Sequence, residues 1–202
     1  RAIRDIRPDF LYKRHARFDV AALMAARRMG VPAVLEVNCL FTAEHYEQFE
    51  PHSLRRMAVR LERRALSLAD VVLAVSTPLA AQIQQVAGVR AVVLPNGADP
   101  KRFDPDRSNG TRVRERFGLQ EAFVVGWAGV MRDWHGLDLL LEVVAAIPYA
   151  RLLVVGAGPA RDAFEQRARD MQVAERIVIT GRVPQEEMPE YLAAMDVAVV
   201  AS

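Results

Sequence analysis

Ala122-Phe123-Val124-Val125-Gly126-Trp127-Ala128 is a short apolar run, and it opens the most regular part of this 202-residue sequence. A run of that length between polar segments reads as a buried strand. Behind it come the polar loop Gly129–Gly136, an apolar helix over Leu137–Ile147 closed by Pro148, and a second strand over Arg151–Val155. Proline cannot continue a helix, so Pro148 marks its end. The pattern then repeats: Gly156–Pro159 is a tight loop, Ala160–Met171 a charged amphipathic helix, Arg176–Thr180 a strand, Gln185–Met195 a helix and Asp196–Val200 a fourth strand. Alternating strands and helices imply a parallel sheet with helices on both faces.

Working outward, the first half has the same grammar. Phe18–Met29 reads as a helix ended by Gly30, Ala33–Val37 as a strand, and Ser53–Leu68 as a long basic helix. Val71–Val75 is a strand, followed by a helix from Thr77 with Pro78 at its first position, and Ala91–Leu94 is a further strand. This gives three strands in the first half and four in the second. Between them Asn96–Gly110 is polar, rich in Pro, Gly and Asp, and without periodicity, as expected of a domain connection. The expected fold class is α/β, with two Rossmann-like parallel-sheet domains: residues 1–98, a connection at 99–118, and residues 119–202. Both are expected to be incomplete at the chain ends.

About half the residues are apolar and about a quarter charged, as in ordinary globular proteins. No apolar run is long enough to span a bilayer. Residues 1–20 do not read as a signal peptide, although the chain begins at Arg1 and an upstream segment is compatible with that. Cys39 is the lone cysteine, which excludes an internal disulfide and any multi-cysteine metal site. His15, His45, His52 and His135 show no zinc-ligand spacing. Lys13 and Lys101 are the only lysines. A phosphate held by the second half must therefore meet arginine, histidine or backbone N–H groups. A GC-rich coding sequence accounts for most of that arginine.

Several loops at strand ends are candidate sites. Gly129-Val130-Met131-Arg132-Asp133-Trp134-His135-Gly136 sits between a strand and a helix, where unpaired N–H groups and a positive dipole end attract anions. Arg132 adds a forked charge and His135 a donor. The alternative is a polar surface loop whose Trp134 caps the core. Gly156-Ala157-Gly158 resembles the start of a dinucleotide fingerprint, but Arg161 stands where the third glycine belongs and the acidic residue on the next strand is missing. It reads as a turn, or as a loop that lets backbone approach a ligand. Gly181-Arg182-Val183 is a sharp turn that can present backbone to a flat base. In the first half, Tyr12 and Arg14 lie in a stretch read as a pre-helix loop, and Glu36 and Asn38 alternate on one face of a strand end. The arginines of Ser53–Leu68 suit a solvated helix face, with Glu62 partly pairing them, or contact with an anionic membrane surface.

Taken in order, these residues resemble the group 1 glycosyltransferases of family 4, which have the GT-B architecture. The features that carry the resemblance are Tyr12-x-Arg14, Val31 to Asn38, Ala69-Asp70-Val71-Val72 with Ala74-Val75-Ser76, Leu94-Pro95-Asn96-Gly97-Ala98-Asp99 with Phe103-Asp104-Pro105, Gly129 to Gly136, Val154-Val155-Gly156-x-Gly158, Gly181-x-Val183, and Asp196 to Ser202. The resemblance implies a retaining transferase that binds a nucleotide-sugar donor in the second domain, with the chemistry in the cleft between domains. The acceptor, a glycan, lipid or small molecule, would be presented by the first. No metal and no other cofactor is expected, and no nucleic acid. By matching positions, Arg132, His135, Gly129 and Gly136 would hold the donor diphosphate, Gly156, Gly158, Arg182 and Val183 the nucleotide, Tyr12 and Arg14 the acceptor side, and Asn38 and Glu36 the catalytic position.

The match has departures. Many relatives carry arginine where Val130 stands and lysine where His135 stands, and many place histidine at Asn38. The paired-glutamate motif and the opening glycine loop are not in the sequence, so these residues alone are expected not to turn over substrate. The alternatives are a non-catalytic or membrane-docking module, or a sugar-nucleotide epimerase of the same fold. A phosphorylase would need a lysine beyond Lys101, and a nicotinamide enzyme a ribose-binding acid. The expected location is cytoplasmic, with the Ser53–Leu68 helix able to rest on the inner membrane face.

Overall fold

The computed structural model describes residues 5–41 and 54–200. It divides into two compact units, Arg1–Gly97 and Ala98–Ser202, each with its own sheet.

The first unit holds β1 (Leu11–Arg14), α1 (Ala21–Arg28), β2 (Ala33–Val37), α2 (Arg55–Leu68), β3 (Val71–Ala74), α3 (Thr77–Ala87) and β4 (Val92–Val93). Its strands are parallel in the order β1-β2-β3-β4. A chain that advances one strand at a time through right-handed crossovers puts every crossover helix on the same face. Leu23 and Ala26 of α1, Leu66 of α2 and Ile83 of α3 duly share one core with Leu35, Val37, Val72 and Ala74 of the sheet. Strand alternation sends Tyr12, Arg14, Val34, Glu36 and Leu73 to the opposite face, none of them in that core.

β1 is a correction to the sequence reading, which took Tyr12 and Arg14 as loop. Register with β2, Tyr12 opposite Val34 and Arg14 opposite Glu36, imposes the strand on a segment of poor strand propensity. The expected helix from Phe18 begins later, because Phe18 has φ +58°, outside helical space. Helix α3 starts as its sequence suggests: Ser76 caps it by accepting from Leu79 N–H at 3.3 Å, with Pro78 in the first turn. Glu62 sits in the core and not on the solvated arginine face that the sequence reading gave it. It lies on the core stripe with Ala58, Ala65 and Leu66, and its Oε1 is 2.9 Å from His15 Nε2 and accepts from Phe41 N–H at 2.8 Å. Buried charge needs such partners. Ser53, His45 and His52 lie outside the described residues.

The second unit runs α4 (Thr111–Phe117), β5 (Phe123–Ala128), α5 (Leu137–Ala146), β6 (Ala150–Val155), α6 (Arg161–Asp170), β7 (Ile177–Ile179), α7 (Met188–Ala193) and β8 (Val197–Ala198). All pairs are parallel, in the order β7-β6-β5-β8. Helices α5 and α6 pack on one face through Leu140, Leu141, Val144 and Phe164. On the other face lie α4 and α7, through Val113, Tyr191 and Ala194. Helix α4 falls inside the stretch read as a connection, yet Val113 is 4% exposed and belongs to this core.

One device recurs in both units. Asp70, just ahead of β3, accepts from Ala33 N–H through Oδ2 at 2.8 Å and donates its own N–H to Ala33 O at 2.9 Å. Asp196, just ahead of β8, does the same with Val124, at 2.7 and 2.9 Å. Each aspartate pins the start of one strand to the start of its parallel neighbour. Arg114 reinforces the second, its Nη2 lying 2.8 Å from Asp196 Oδ2.

Candidate functional site

In open α/β sheets, ligands bind beyond the carboxyl ends of strands, at the point where successive connections leave in opposite directions. In the second unit that point lies between β5 and β8: the chain leaves β5 towards β6 and β7, while β8 sits on the other side of β5. The loop leaving β5 there is Gly129–Gly136. Arg132, Asp133 and Trp134 are exposed, and His135 is half-buried in a single 3₁₀ turn, Asp133–His135. Gly136, at φ +60°, turns the chain into α5.

The loop's side chains form a connected group. The Arg132 guanidinium lies 5.1 Å from the Trp134 ring centroid, in the range of a cation–π contact. The His135 ring stands 6.0 Å from Trp134, edge-on, and 5.7 Å from Trp127, which is buried in the core. The two tryptophans of the sequence thus flank one histidine. Trp134 is 44% exposed and does not cap the core; Met131, at 0%, fills that place. His135 Nδ1 is buried without a hydrogen-bond partner. Such a group costs about 1–3 kcal/mol, a strain that clusters at functional positions. Asp133 and Asp138 temper the local positive charge, so the donors that this loop presents are backbone N–H groups and the Arg132 fork.

This loop is held rigidly from behind. Gly129 N–H donates to Val155 O at 3.0 Å, Met131 N–H to Ala157 O at 3.1 Å, and Ala160 N–H to Met131 O at 3.2 Å. Gly156 in turn bridges Gly181. The loops after β5, β6 and β7 are therefore laced together by backbone hydrogen bonds. This lacing explains the glycines. A Cβ on Gly156, whose φ is +149°, would stand 1.8 Å from Gly129 O, and one on Gly158 would stand 2.2 Å from Met131 O. Close approach of two loops, rather than of a ligand, is what demands glycine at these positions. Arg182 is exposed and Val183 half-buried just beyond Gly181.

In the first unit the structure brings together all four expected residues. Tyr12 donates its hydroxyl to Glu36 Oε2 at 2.6 Å, Asn38 Nδ2 donates to Glu36 Oε1 at 3.2 Å, and Arg14 Nε lies 3.9 Å from the same Oε1. The Tyr12 hydrogen bond holds the Glu36 carboxyl below its ordinary value; Asn38 and Arg14 add to this against partial desolvation. The same bond raises the Tyr12 phenol. Glu36 is thus a fixed carboxylate at the carboxyl end of β2, braced on both oxygens. Asn38 Oδ1, turned away from Glu36, is buried and unpartnered. Among the described residues no three His, Cys, Asp or Glu side chains form a metal site. No described helix is long and apolar enough to cross a membrane.

Residues 1–102 match the family Glycosyltransferase Family 4, and residues 122–202 match Glycosyl transferases group 1. A GDP-mannose-dependent alpha-(1-6)-phosphatidylinositol monomannoside mannosyltransferase of Mycolicibacterium smegmatis is 36% identical over 141 residues, 67% of this chain and 37% of that protein. A 2-deoxystreptamine glucosyltransferase of Streptomyces kanamyceticus is 29% identical over 91% of this chain and 50% of its own length. The chain spans half or less of the length of these relatives. Among solved structures, Anabaena HepE in complex with UDP superposes with a TM-score of 0.80 at 21% identity, covering 100% of this chain and 56% of that one. Sucrose-phosphate synthase of Thermosynechococcus elongatus does so with a TM-score of 0.77 at 18% identity, covering 98% and 51%. These likenesses fix the fold.

Proposed function

Because this chain belongs to the group 1 glycosyltransferases of family 4, we propose that it supplies the donor-binding loops and an acceptor-side carboxylate of a nucleotide-sugar-dependent glycosyltransferase. The observation that carries this reading is the laced set of three loops at the carboxyl ends of β5, β6 and β7, with Arg132 and His135 on the loop at the switch point. Gly136 and the start of α5 offer N–H groups to a diphosphate, Gly129 holds the root of that loop through its N–H to Val155 O, Arg132 adds its guanidinium, and the loops at Gly156, Gly158, Arg182 and Val183 flank the nucleoside.

During transfer the bond from the sugar's anomeric carbon to the diphosphate breaks, and a bond from the acceptor oxygen forms with retained configuration. Charge accumulates on the leaving diphosphate, where fixed donors stabilise the transition state most. The acceptor hydroxyl passes its proton to the departing diphosphate oxygen. Glu36 does not relay that proton, since a carboxylate held below its ordinary pKa is a weak base. Its braced geometry suits orienting that hydroxyl, with Asn38 and Tyr12 as its supports. The diphosphate charge is met without a metal, and the acceptor is a glycan, a lipid or a small molecule.

Thermal-shift measurement of the full-length protein with UDP, GDP and ADP tests the donor site. One nucleotide raises the melting temperature, and Arg132→Ala weakens that response about tenfold or more, the worth of a charge-assisted bond. No response to any of the three would sink the reading. Activity that survives EDTA supports the metal-free scheme, and an inverted product anomer by NMR would overturn retention. Glu36→Gln raises the acceptor KM and leaves the donor KM unchanged.

A further inference from the structure

Strand β1 carries Tyr12 and Arg14 on its outward face, yet it has little apolar surface with which to hold its place. By alternation its inward residues are Leu11 and Lys13, followed just past its end by His15. Leu11 is half-buried, and Lys13 is tied to Asp19. β1 is an edge strand that pairs only with β2. His15 is the one buried residue of this inward row, and what it meets is a carboxylate of α2.

The His15 and Glu62 side chains are 3% and 4% exposed. Glu62 Oε1 lies 2.9 Å from His15 Nε2 and accepts from Phe41 N–H at 2.8 Å. Among the described residues the His15 ring has no other hydrogen-bond partner, its Nδ1 being buried and unmatched. The ring stands 5.4 Å from that of Phe41, and the His15 backbone N–H donates to Glu36 O at 2.7 Å. A single carboxylate oxygen therefore ties the residue that follows β1 to the loop that follows β2. Asn38 lies on that loop, between the end of β2 and Phe41, and Glu36 is bonded to His15 itself.

Stability does not call for such a pair. Burying a carboxylate forfeits its solvation, and apolar side chains of similar volume often stabilise a fold as well or better. The best-attested use of a buried polar pair is to fix register. We propose that His15 and Glu62 are the positioning residues of the acceptor-side group: together they hold β1, with Tyr12 and Arg14, and the loop bearing Asn38 at fixed places around Glu36. The inference rests on the acceptor-side reading of those four residues, but the geometry it asserts is measurable without an acceptor.

Alkaline titration of phenolate absorbance in the full-length protein tests it, with the Tyr12→Phe variant subtracted to isolate Tyr12. In the parent the Glu36 hydrogen bond holds the Tyr12 phenol above its ordinary value. Combining His15→Leu with Glu62→Leu removes both polar groups together, so the melting temperature stays near the parent's while the Tyr12 phenol returns towards its ordinary value. Glu62→Gln keeps the length and the accepting oxygen, and keeps the parent's titration. Glu62→Asp keeps the charge but falls a methylene short of both donors; it shifts as the double variant does, and decides the matter should the double variant not fold. Hydrogen exchange at neutral pH is the second measure. Amides of residues 11–15 and 36–41 exchange at least about tenfold faster in the double variant and in Glu62→Asp, the worth of a hydrogen bond to a charged group, while those of β3 and α3 keep the parent's rate. An unmoved Tyr12 titration, a shift in Glu62→Gln as large as in Glu62→Asp, or faster exchange spread evenly over the first unit would overturn the inference. The transferase reading is judged separately, by the parent's thermal response to UDP, GDP and ADP, which none of these variants changes.

Discussion

Replacing Arg114 by alanine should destabilise the second unit by about 3–4 kcal/mol. The Arg114 side chain makes four bonds: Nε to Ala194 O at 3.0 Å, Nη1 to Ala122 O at 3.2 Å and Leu119 O at 3.4 Å, and Nη2 to Asp196 Oδ2 at 2.8 Å. Ala194 is fully buried, so its carbonyl finds no water when the guanidinium goes, whereas Leu119 O keeps the Ala122 N–H at 3.2 Å. An orphaned buried acceptor costs about 1–3 kcal/mol. The Asp196 side chain is 38% exposed and can rehydrate, so only a small exposed-pair term of about 0.5 kcal/mol is lost there. The Ala194 carbonyl at about 2 kcal/mol, the half-buried Ala122 carbonyl at the low end of about 1 kcal/mol and the weakened pair give the total. Arg114→Lys keeps the charge but loses the fork, and should recover less than half of it. Both tryptophans of these residues, Trp127 and Trp134, lie in this unit, so fluorescence-detected guanidinium unfolding reads it directly. A loss under about 1 kcal/mol for Arg114→Ala would show that the carbonyls rehydrate freely and would refute the reasoning.

Asp196 predicts an acid limb. Burial acts against its ionised form as the largest single influence, yet the Val124 N–H and Arg114 together bring its carboxyl below the ordinary value. Its contribution is complete above the unfolded value of about 3.9 and is lost as pH falls through the lower folded one. Asp196→Asn should therefore lower the urea midpoint at neutral pH and flatten its decline between roughly pH 5 and pH 2. Gly156→Ala puts a Cβ where Gly129 O stands, so nucleotide-dependent thermal stabilisation should vanish while far-UV circular dichroism is kept. Unchanged nucleotide binding in that variant would mean that the lacing of the loops is irrelevant to the site. Trp134→Leu removes the surface under Arg132 and beside His135, and should raise the donor KM about three- to tenfold, with Trp134→Phe restoring most of it.

The sequence announces some of this structure and conceals the rest for physical reasons. The apolar runs of β5 and β6 stand out because both faces of these strands meet apolar cores, whereas β2 and β3 bury only the face turned to the helices. Strand β1 is hidden because Leu11-Tyr12-Lys13-Arg14 is an edge strand whose outward face is free to be polar, and only its pairing with β2 makes it a strand. Helix α4 is hidden because it buries little besides Val113 and follows a Pro- and Gly-rich stretch, although Gly118 in the left-handed region marks its end. Glu62 was legible in principle, since it shares a helical stripe with Ala58, Ala65 and Leu66. The grouping of Tyr12, Arg14, Glu36 and Asn38 follows from strand alternation. The role of Gly156 and Gly158 does not, because it depends on which loop the sheet order places beside them.

The cross-loop hydrogen bonds of the second unit have an energetic meaning for recognition. Ordering a mobile loop around a ligand subtracts from affinity, whereas a scaffold preorganised during folding has already met that cost. Arg132 and Arg182 sit on strips of backbone that share the Gly129–Val155 and Gly156–Gly181 links, so neither strip shifts alone. On the proposed donor-site reading, discrimination among ligands comes from the side chains on this frame, and changing what it selects calls for exchanging those side chains rather than remodelling the backbone beneath them.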